Sequence, residues 1–181
     1  QPSLDVNYSS EAGNGWMGIG WNLSTQAISI NTKWGAPLFD PTNESELYSL
    51  NGADLVLKDE VSLLYTNPHR QANIARSGER VFYQRKEGGY QLITRHGTSP
   101  KNYWWEVVDK QGNKTFYGGV TGLDDSKVMK DVDGNIAYWA IARVQDPYSN
   151  YIEYIYEKDT TAQISSTITG QEFYISKINY T

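Results

Sequence analysis

The chain has 181 residues, 39% of them hydrophobic and 20% charged, with a formal net charge of −5. That is one domain's worth of sequence with enough apolar content to bury a core. The acidic balance and the lack of any Lys/Arg cluster exclude a nucleic-acid-binding footprint, and no apolar run approaches the roughly 20 residues of a membrane-spanning helix. There is no cysteine, which excludes disulfides, thiolate catalysis and Cys-ligated zinc or iron–sulfur sites. The 14 Tyr and 6 Trp favour sheet.

In chain order, Leu4, Val6 and Tyr8 alternate with Asp5, Asn7 and Ser9, a strand of period two. Gly13, Gly15, Gly18 and Gly20 follow, interleaved with Trp16 and Trp21. Their spacing is not that of a phosphate loop, no Lys follows, and no helix-forming segment comes next. They read as a corner where the backbone turns sharply between large rings. Ala27–Asn31 is a short strand, and residues 33–46 are loop-like. Leu47–Leu50, Asn51-Gly52 and Leu55–Leu57 form a hairpin signal with Asn-Gly at its turn. Residues 58–78 are weakly patterned. Val81–Arg85 and Tyr90–Thr94 flank Glu87-Gly88-Gly89 as a second hairpin.

Between 104 and 157 one turn recurs: Asp109–Asn113, Asp131–Asn135 and Asp146–Asn150 each read Asp-x-x-Gly(or Ser)-Asn. Gly112, Gly134 and Ser149 fill the fourth position, and an aromatic residue (Tyr117, Trp139, Tyr154) stands four places after each Asn. Gly and Asn tolerate positive φ, and Asp hydrogen-bonds the backbone two residues on, so the motif suits a tight hairpin. Internal repetition of this kind speaks to architecture before any single residue does. In the strand before the third turn, Tyr138, Ala140, Ala142 and Val144 share one face and Trp139, Ile141 and Arg143 the other. Tyr151–Glu157 is half-buried, residues 118–127 are a loop, Thr160–Thr169 is an edge strand or loop, and Phe173–Tyr180 is a closing strand. No amphipathic helix is evident. The fold expected is all-β, an extended curved antiparallel sheet of repeated hairpins. The sequence begins and stops within strand-like stretches, so 1–181 is expected to be a single segment of a longer polypeptide.

These blocks carry a family resemblance. Leu4-Asp-Val-Asn-Tyr-Ser with Gly13-Asn-Gly-x-x-Gly-Ile-Gly-Trp-Asn-Leu-Ser resembles the opening signature of the SpvB-type family, which includes the B components of Tc insecticidal toxin complexes and is related to RHS/YD-repeat proteins. Tyr48–Val56, Trp105–Gly118, Trp139–Tyr156 and Ile175–Thr181 resemble the family's later blocks in order. Trp16-Met17 stands where the family commonly has Pro-Leu, and Ser149 replaces the turn glycine, with Asn150 expected to take the left-handed position. The resemblance implies a secreted bacterial, toxin-related protein whose RHS-type hollow shell encloses and delivers a C-terminal toxin. It implies as partners the rest of the same shell, Tc-type A and C components and the enclosed toxin. This segment would be shell wall and not an enzyme.

Chemistry within the chain is weighed against that. ADP-ribosyl transfer needs an Arg, a Ser-Thr-Ser-like strand and then Glu-x-Glu. Arg143 and Ser165-Ser166-Thr167 are present, but the Glu-x-Glu, Glu44-Ser45-Glu46, lies far upstream in the wrong order. Asp131-x-Asp133-Gly134-Asn135 resembles a calcium loop but lacks its spacing, Asp124-Asp125 reads as an exposed acidic loop, and His69 and His96 have no nucleophile pattern nearby. No catalytic, cofactor or metal residue is expected. The residues singled out are the turn positions above and a candidate partner surface of Trp16, Trp21, Trp34, Trp104 and Trp105. The rival reading is a non-catalytic sheet module that binds a protein partner, or glycans stacked on those rings.

Overall fold

The computed structural model describes residues 6–10, 14–15, 18–19, 21–23, 25–58, 74–86, 88–159, 163–165, 168–169 and 172–181. It is all-β. The first strands, β1 (Val6–Tyr8), β2 (Asn14–Gly15), β3 (Gly18–Ile19) and β4 (Trp21–Leu23), pair as β1 with β4 and β2 with β3. The glycine-rich corner is therefore a small hairpin on its described residues, Gly15 and Gly18, which face each other in register. Gly13, Trp16 and Gly20 lie outside the described residues.

The main sheet runs through β5 (Ala27–Ile30), β6 (Tyr48–Leu50), β7 (Ala53–Leu57), β8 (Arg80–Gln84), β9 (Leu92–His96), β10 (Trp104–Val108) and β11 (Lys114–Tyr117), each antiparallel to the next. After β12 (Val128–Lys130) comes β13 (Ile136–Gln145), the longest strand at 10 residues. It pairs with β5 through Trp139↔Ile28 and with β11 through Tyr117↔Ile141. The sheet thus closes on itself: β5 to β11 and β13 form an eight-stranded ring. A barrel of about eight strands is just wide enough for side chains to fill. The inward residues do fill it: Ile28, Leu50, Leu57, Phe82, Ile93, Trp105, Tyr117 and Trp139 are all at most 3% exposed. Tyr48, Phe82, Trp105 and Trp139 meet as tilted and edge-on ring pairs at 4.9–5.8 Å, the arrangement the ring quadrupole favours. Burial of this apolar surface at about 25 cal/mol per Å² is what holds the ring closed.

A second set of strands leaves the ring. β14 (Tyr151–Asp159) pairs with the end of β13, and β17 (Glu172–Tyr180) pairs with β14 over most of its length. β15 (Gln163–Ser165) and β16 (Ile168–Thr169) make a hairpin between them in sequence. No strand pairs the outer edge of β17 among the described residues.

The two ends of the barrel differ. The β6–β7, β10–β11 and β13–β14 turns sit at one end, whereas the Asp131–Asn135 turn lies at the other, where Ile136 N–H donates to Pro100 O at 2.9 Å. Asn51 and Gly52 both take positive φ, 51° and 81°, which is the two-residue hairpin turn that matches the twist of the strands. At the other end are the longer connections β5–β6, β7–β8 and β9–β10.

The three Asp-x-x-Gly/Ser-Asn segments join β10 to β11, β12 to β13 and β13 to β14, and their bonding is the same. The Asp Oδ1 accepts from the backbone N–H two and four residues on, at 2.8 and 2.9 Å for Asp109, 2.9 and 2.8 Å for Asp131, and 2.9 and 2.9 Å for Asp146. The Asn side-chain amide then donates to the Asp Oδ2 at 2.7–3.0 Å. Gly112, Gly134 and Ser149 occupy the left-handed region at φ 84°, 85° and 73°. In the third turn the strained residue is therefore Ser149 itself and not Asn150. The aromatic residue four places on, Tyr117, Trp139 or Tyr154, enters the core in each case.

The face assignment along β13 needs correction. Phe116 and Tyr117 are adjacent, yet their partners on β13 are Arg143 and Ile141. Ala142 is thus an extra residue, a β-bulge that reverses the alternation. Trp139 and Ile141 face the core, and so does Val144 beyond the bulge, while Arg143 turns away to Glu153 at 2.9 Å.

Candidate functional site

Charge, unlike apolar surface, must be partnered when buried, and the described residues hold one concentrated set of buried charges. Ile93 and Arg95 both point inward from β9, so the strand delivers a guanidinium into the barrel. Arg95 is 0% exposed. The β5–β6 connection answers it with Glu44, 1% exposed, whose two oxygens accept from Arg95 at 2.6 and 2.8 Å. The ring of Tyr103 lies 3.9 Å from the guanidinium carbon, a cation–π contact in a desolvated place. Tyr48 and the Ser77 carbonyl accept further hydrogen bonds at 3.3 Å.

A second pair lies beside the first. Arg76 donates to both oxygens of Glu46 at 3.0 and 2.9 Å, to the Tyr103 hydroxyl at 3.2 Å and to the Asp40 carbonyl at 2.8 Å. The two connections that carry these residues are bonded to one another: Glu44 N–H donates to Ile74 O at 2.8 Å and Arg76 N–H to Thr42 O at 2.7 Å. The β5–β6 segment is therefore strapped across the long-connection end of the barrel and plugs it with paired charge.

Burial pushes the Glu44 carboxyl up, but the bonds from Arg95 and the nearby Arg76 outweigh it and hold the group below the ordinary carboxylate value. Burial alone would lower Arg95; the bonds to Glu44 reverse the sign and raise it. Burial raises the Tyr48 and Tyr103 phenols, which stay protonated. Such an arrangement has no carboxylate oxygen left to act as a base. The Glu-x-Glu of Glu44 and Glu46 is closed in ion pairs, so it offers nothing to a substrate.

The remaining sequence candidates are dispersed. Trp21 sits on β4, 46% exposed, against Tyr8 at 5.1 Å. Trp34 lies in the β5–β6 connection, 50% exposed, with Lys33 over its ring. Trp104 stacks on His96 at 4.2 Å, and His96 in turn faces Glu79 at 3.0 Å. Trp105 belongs to the core at 0% exposure, which removes it from any partner surface: adjacent strand residues face opposite ways. Trp16 and His69 lie outside the described residues. Asp124 accepts from Ser126 N–H and caps the 3-10 turn Asp125–Lys127. Among the described residues no group of three His, Asp or Glu side chains is placed to hold a metal.

The buried network was not found by sequence reasoning. Arg95 did leave a signal, a charge at the inward parity of an apolar strand. Glu44, Glu46 and Arg76 left none, because they lie in irregular segments with no period.

The family model described as "SpvB: Salmonella virulence plasmid 65kDa B protein" matches residues 1–180. The mono(ADP-ribosyl)transferase SpvB of Salmonella choleraesuis (strain SC-B67) is 24% identical over 194 residues, covering 99% of this chain and 32% of that protein. SpvB of Salmonella typhimurium (strain 14028s / SGSC 2262) matches to the same extent. The chain thus spans about a third of the length of these relatives. Among solved structures, the N-terminal domain of effector protein SpvB from Salmonella typhimurium strain LT2 has a TM-score of 0.71 at 21% identity, over 99% of this chain and 58% of that one. TcdB2-TccC3-Cdc42 gives 0.73 at 18% identity, over 99% of this chain and 9% of that one. The Photorhabdus luminescens Tc holotoxin pore gives 0.73 at 20% identity, over 99% and 8%. At these identities the likeness is one of fold.

Proposed function

This chain belongs to the SpvB family, and from that premise we propose that it is a non-catalytic wall segment of a secreted bacterial toxin-related protein, one whose shell encloses and helps deliver a C-terminal payload. The observation that carries the reading is the β13–β14–β17 ribbon. Its strands are 10, 9 and 9 residues long, the ribbon runs off a barrel that is already closed, and its outermost edge is unpaired among the described residues. A bare edge of that length is a template for further pairing, which is what a continuing wall requires.

The barrel itself is filled, so it encloses nothing. It acts as a rigid node from which the wall extends. Any ADP-ribosyl transfer would belong outside this chain. The partners of such a segment are the rest of its own shell, Tc-type A and C components and the enclosed toxin. Hydrogen exchange on the intact protein tests the reading: the outward amides of β17 should exchange slowly because another strand pairs them, and fast exchange there contradicts it.

The second reading, a binding module for a protein partner or glycans, rests on the half-exposed rings of Trp21 and Trp34. Titration with a glycan panel while following Trp fluorescence separates the two readings.

A further inference from the structure

At the end of the barrel that carries the β6–β7 turn, the β8–β9 hairpin comes apart before it turns. The β8–β9 ladder stops at Phe82↔Ile93, although β8 goes on pairing β7 as far as Gln84 and β9 pairs β10 from Leu92 onward. The gap between the parted strands is lined by Tyr83, Gln84, Gly88, Gly89, Tyr90 and Gln91. We propose that this gap is a binding site for a saccharide, stacked on the Tyr90 ring and bonded by the Gln84 and Gln91 carboxamides. Both strands are inside the ring, and β8 lies across it from β13, the strand that carries the ribbon. The proposal rests on other residues than the wall reading and stands or falls separately.

Tyr90 has φ 46°, the left-handed region that a bulky side chain rarely enters. Gly89 beside it could take that conformation freely and does not. The strain falls instead on a residue whose ring is 70% exposed, and strain placed in this way points to function. The ring is also held from outside its own hairpin. The Lys110 ammonium, on the β10–β11 turn, lies 4.4 Å from its centroid in a cation–π contact. A prepositioned ring loses little freedom on binding.

Gln84 and Gln91 supply the polar atoms. Both are half-buried, and neither carboxamide is bonded to another group among the described residues. Gln91 is packed over Gly89, its Cγ 3.6 Å from where a Cβ there would stand. Each carboxamide offers donors and an acceptor, the set that neighbouring sugar hydroxyls require. Among the described residues no ionised side chain lines the gap, so recognition rests on hydroxyls and a ring face. An extended peptide needs a longer groove or an open sheet edge, and this gap spans only the tips of two strands that are each paired on their other side.

The test uses the intact protein and saturation-transfer NMR with methyl glucopyranoside, methyl galactopyranoside and N-acetylglucosamine, alongside a proline-rich peptide. The proposal expects transfer to at least one sugar and none to the peptide. Tyr90→Ala should weaken sugar binding about tenfold, the loss of one stacked ring, and Tyr90→Phe should retain it. Gln84→Leu combined with Gln91→Leu should abolish it while leaving the thermal midpoint nearly unchanged, and Trp34→Ala should leave binding as it is. The proposal is overturned if no sugar binds, as when other residues of the intact protein cover the gap, or if the peptide binds instead. It is also overturned if Trp34→Ala abolishes binding and the glutamine changes do not.

Discussion

Arg95 and Glu44, 51 positions apart in sequence, meet inside the barrel as a two-pronged ion pair at 2.6 and 2.8 Å. The pair joins a strand of the ring to the segment that crosses its end, so it ties the plug to the wall. Buried ion pairs add little net stability over an apolar substitute, but breaking one leaves an uncompensated charge.

Removing one partner should therefore be severe. Glu44→Gln should lower unfolding stability by about 3–5 kcal/mol in guanidinium titrations. Arg95→Met combined with Glu44→Gln should cost clearly less than the sum of the two single changes, because the pair acts as a unit. Additive losses would show that the two groups are energetically independent.

The same pair sets an acid limit. The folded-state value of Glu44 lies below its ordinary 4.5, so the folded chain takes up the proton less readily than the unfolded one. Its contribution is present in full above about pH 4.5 and is lost as the pH falls through the folded value. Stability measured from pH 6 to 3 should drop along this limb, and the drop should be shallower in Glu44→Gln.

Ser149 at φ 73° should be the weak copy of the repeated turn. A non-glycine residue in the left-handed region costs about 1–2 kcal/mol. Ser149→Gly should therefore raise the unfolding midpoint, by about 1 kcal/mol in stability, and Gly112→Ala or Gly134→Ala should lower it by a similar amount. Equal stability of Ser149→Gly and the parent would mean that the turn bonds already absorb the strain.

Two neighbouring glycines should behave oppositely. A Cβ on Gly118 would stand 2.4 Å from Trp139 Cδ1, at φ 72°, whereas one on Gly122 would meet nothing within 4 Å. Gly118→Ala should cost about 3 kcal/mol or more, combining overpacking with left-handed strain, and Gly122→Ala should leave the thermal midpoint nearly unchanged.

What the sequence made legible follows from range. Asn51-Gly52 announced its hairpin because the turn type is fixed by two adjacent residues, and Gly88-Gly89 between Val81–Arg85 and Tyr90–Thr94 announced the next. The closing of the ring was not legible. It depends on Tyr117 meeting Ile141 and Trp139 meeting Ile28, pairings that no local pattern encodes. The bulge at Ala142 was hidden by small alanines on both sides of the strand. The plug was hidden for the same reason of range: Glu44 and Arg76 sit in segments without period, and only the fold brings them to Arg95. The tryptophans misled in one instance, since Trp105 and Trp104 are equivalent in composition and differ only in which face of β10 they take.

Limited proteolysis of the intact protein tests the central claim most directly. A broad-specificity protease is applied to the native and the gently unfolded protein, and mass spectrometry follows the C-terminal segment. The account predicts that this segment survives in the native state and is digested once the shell is loosened. Equal digestion in both states would contradict containment and leave this chain as a ligand-binding β module.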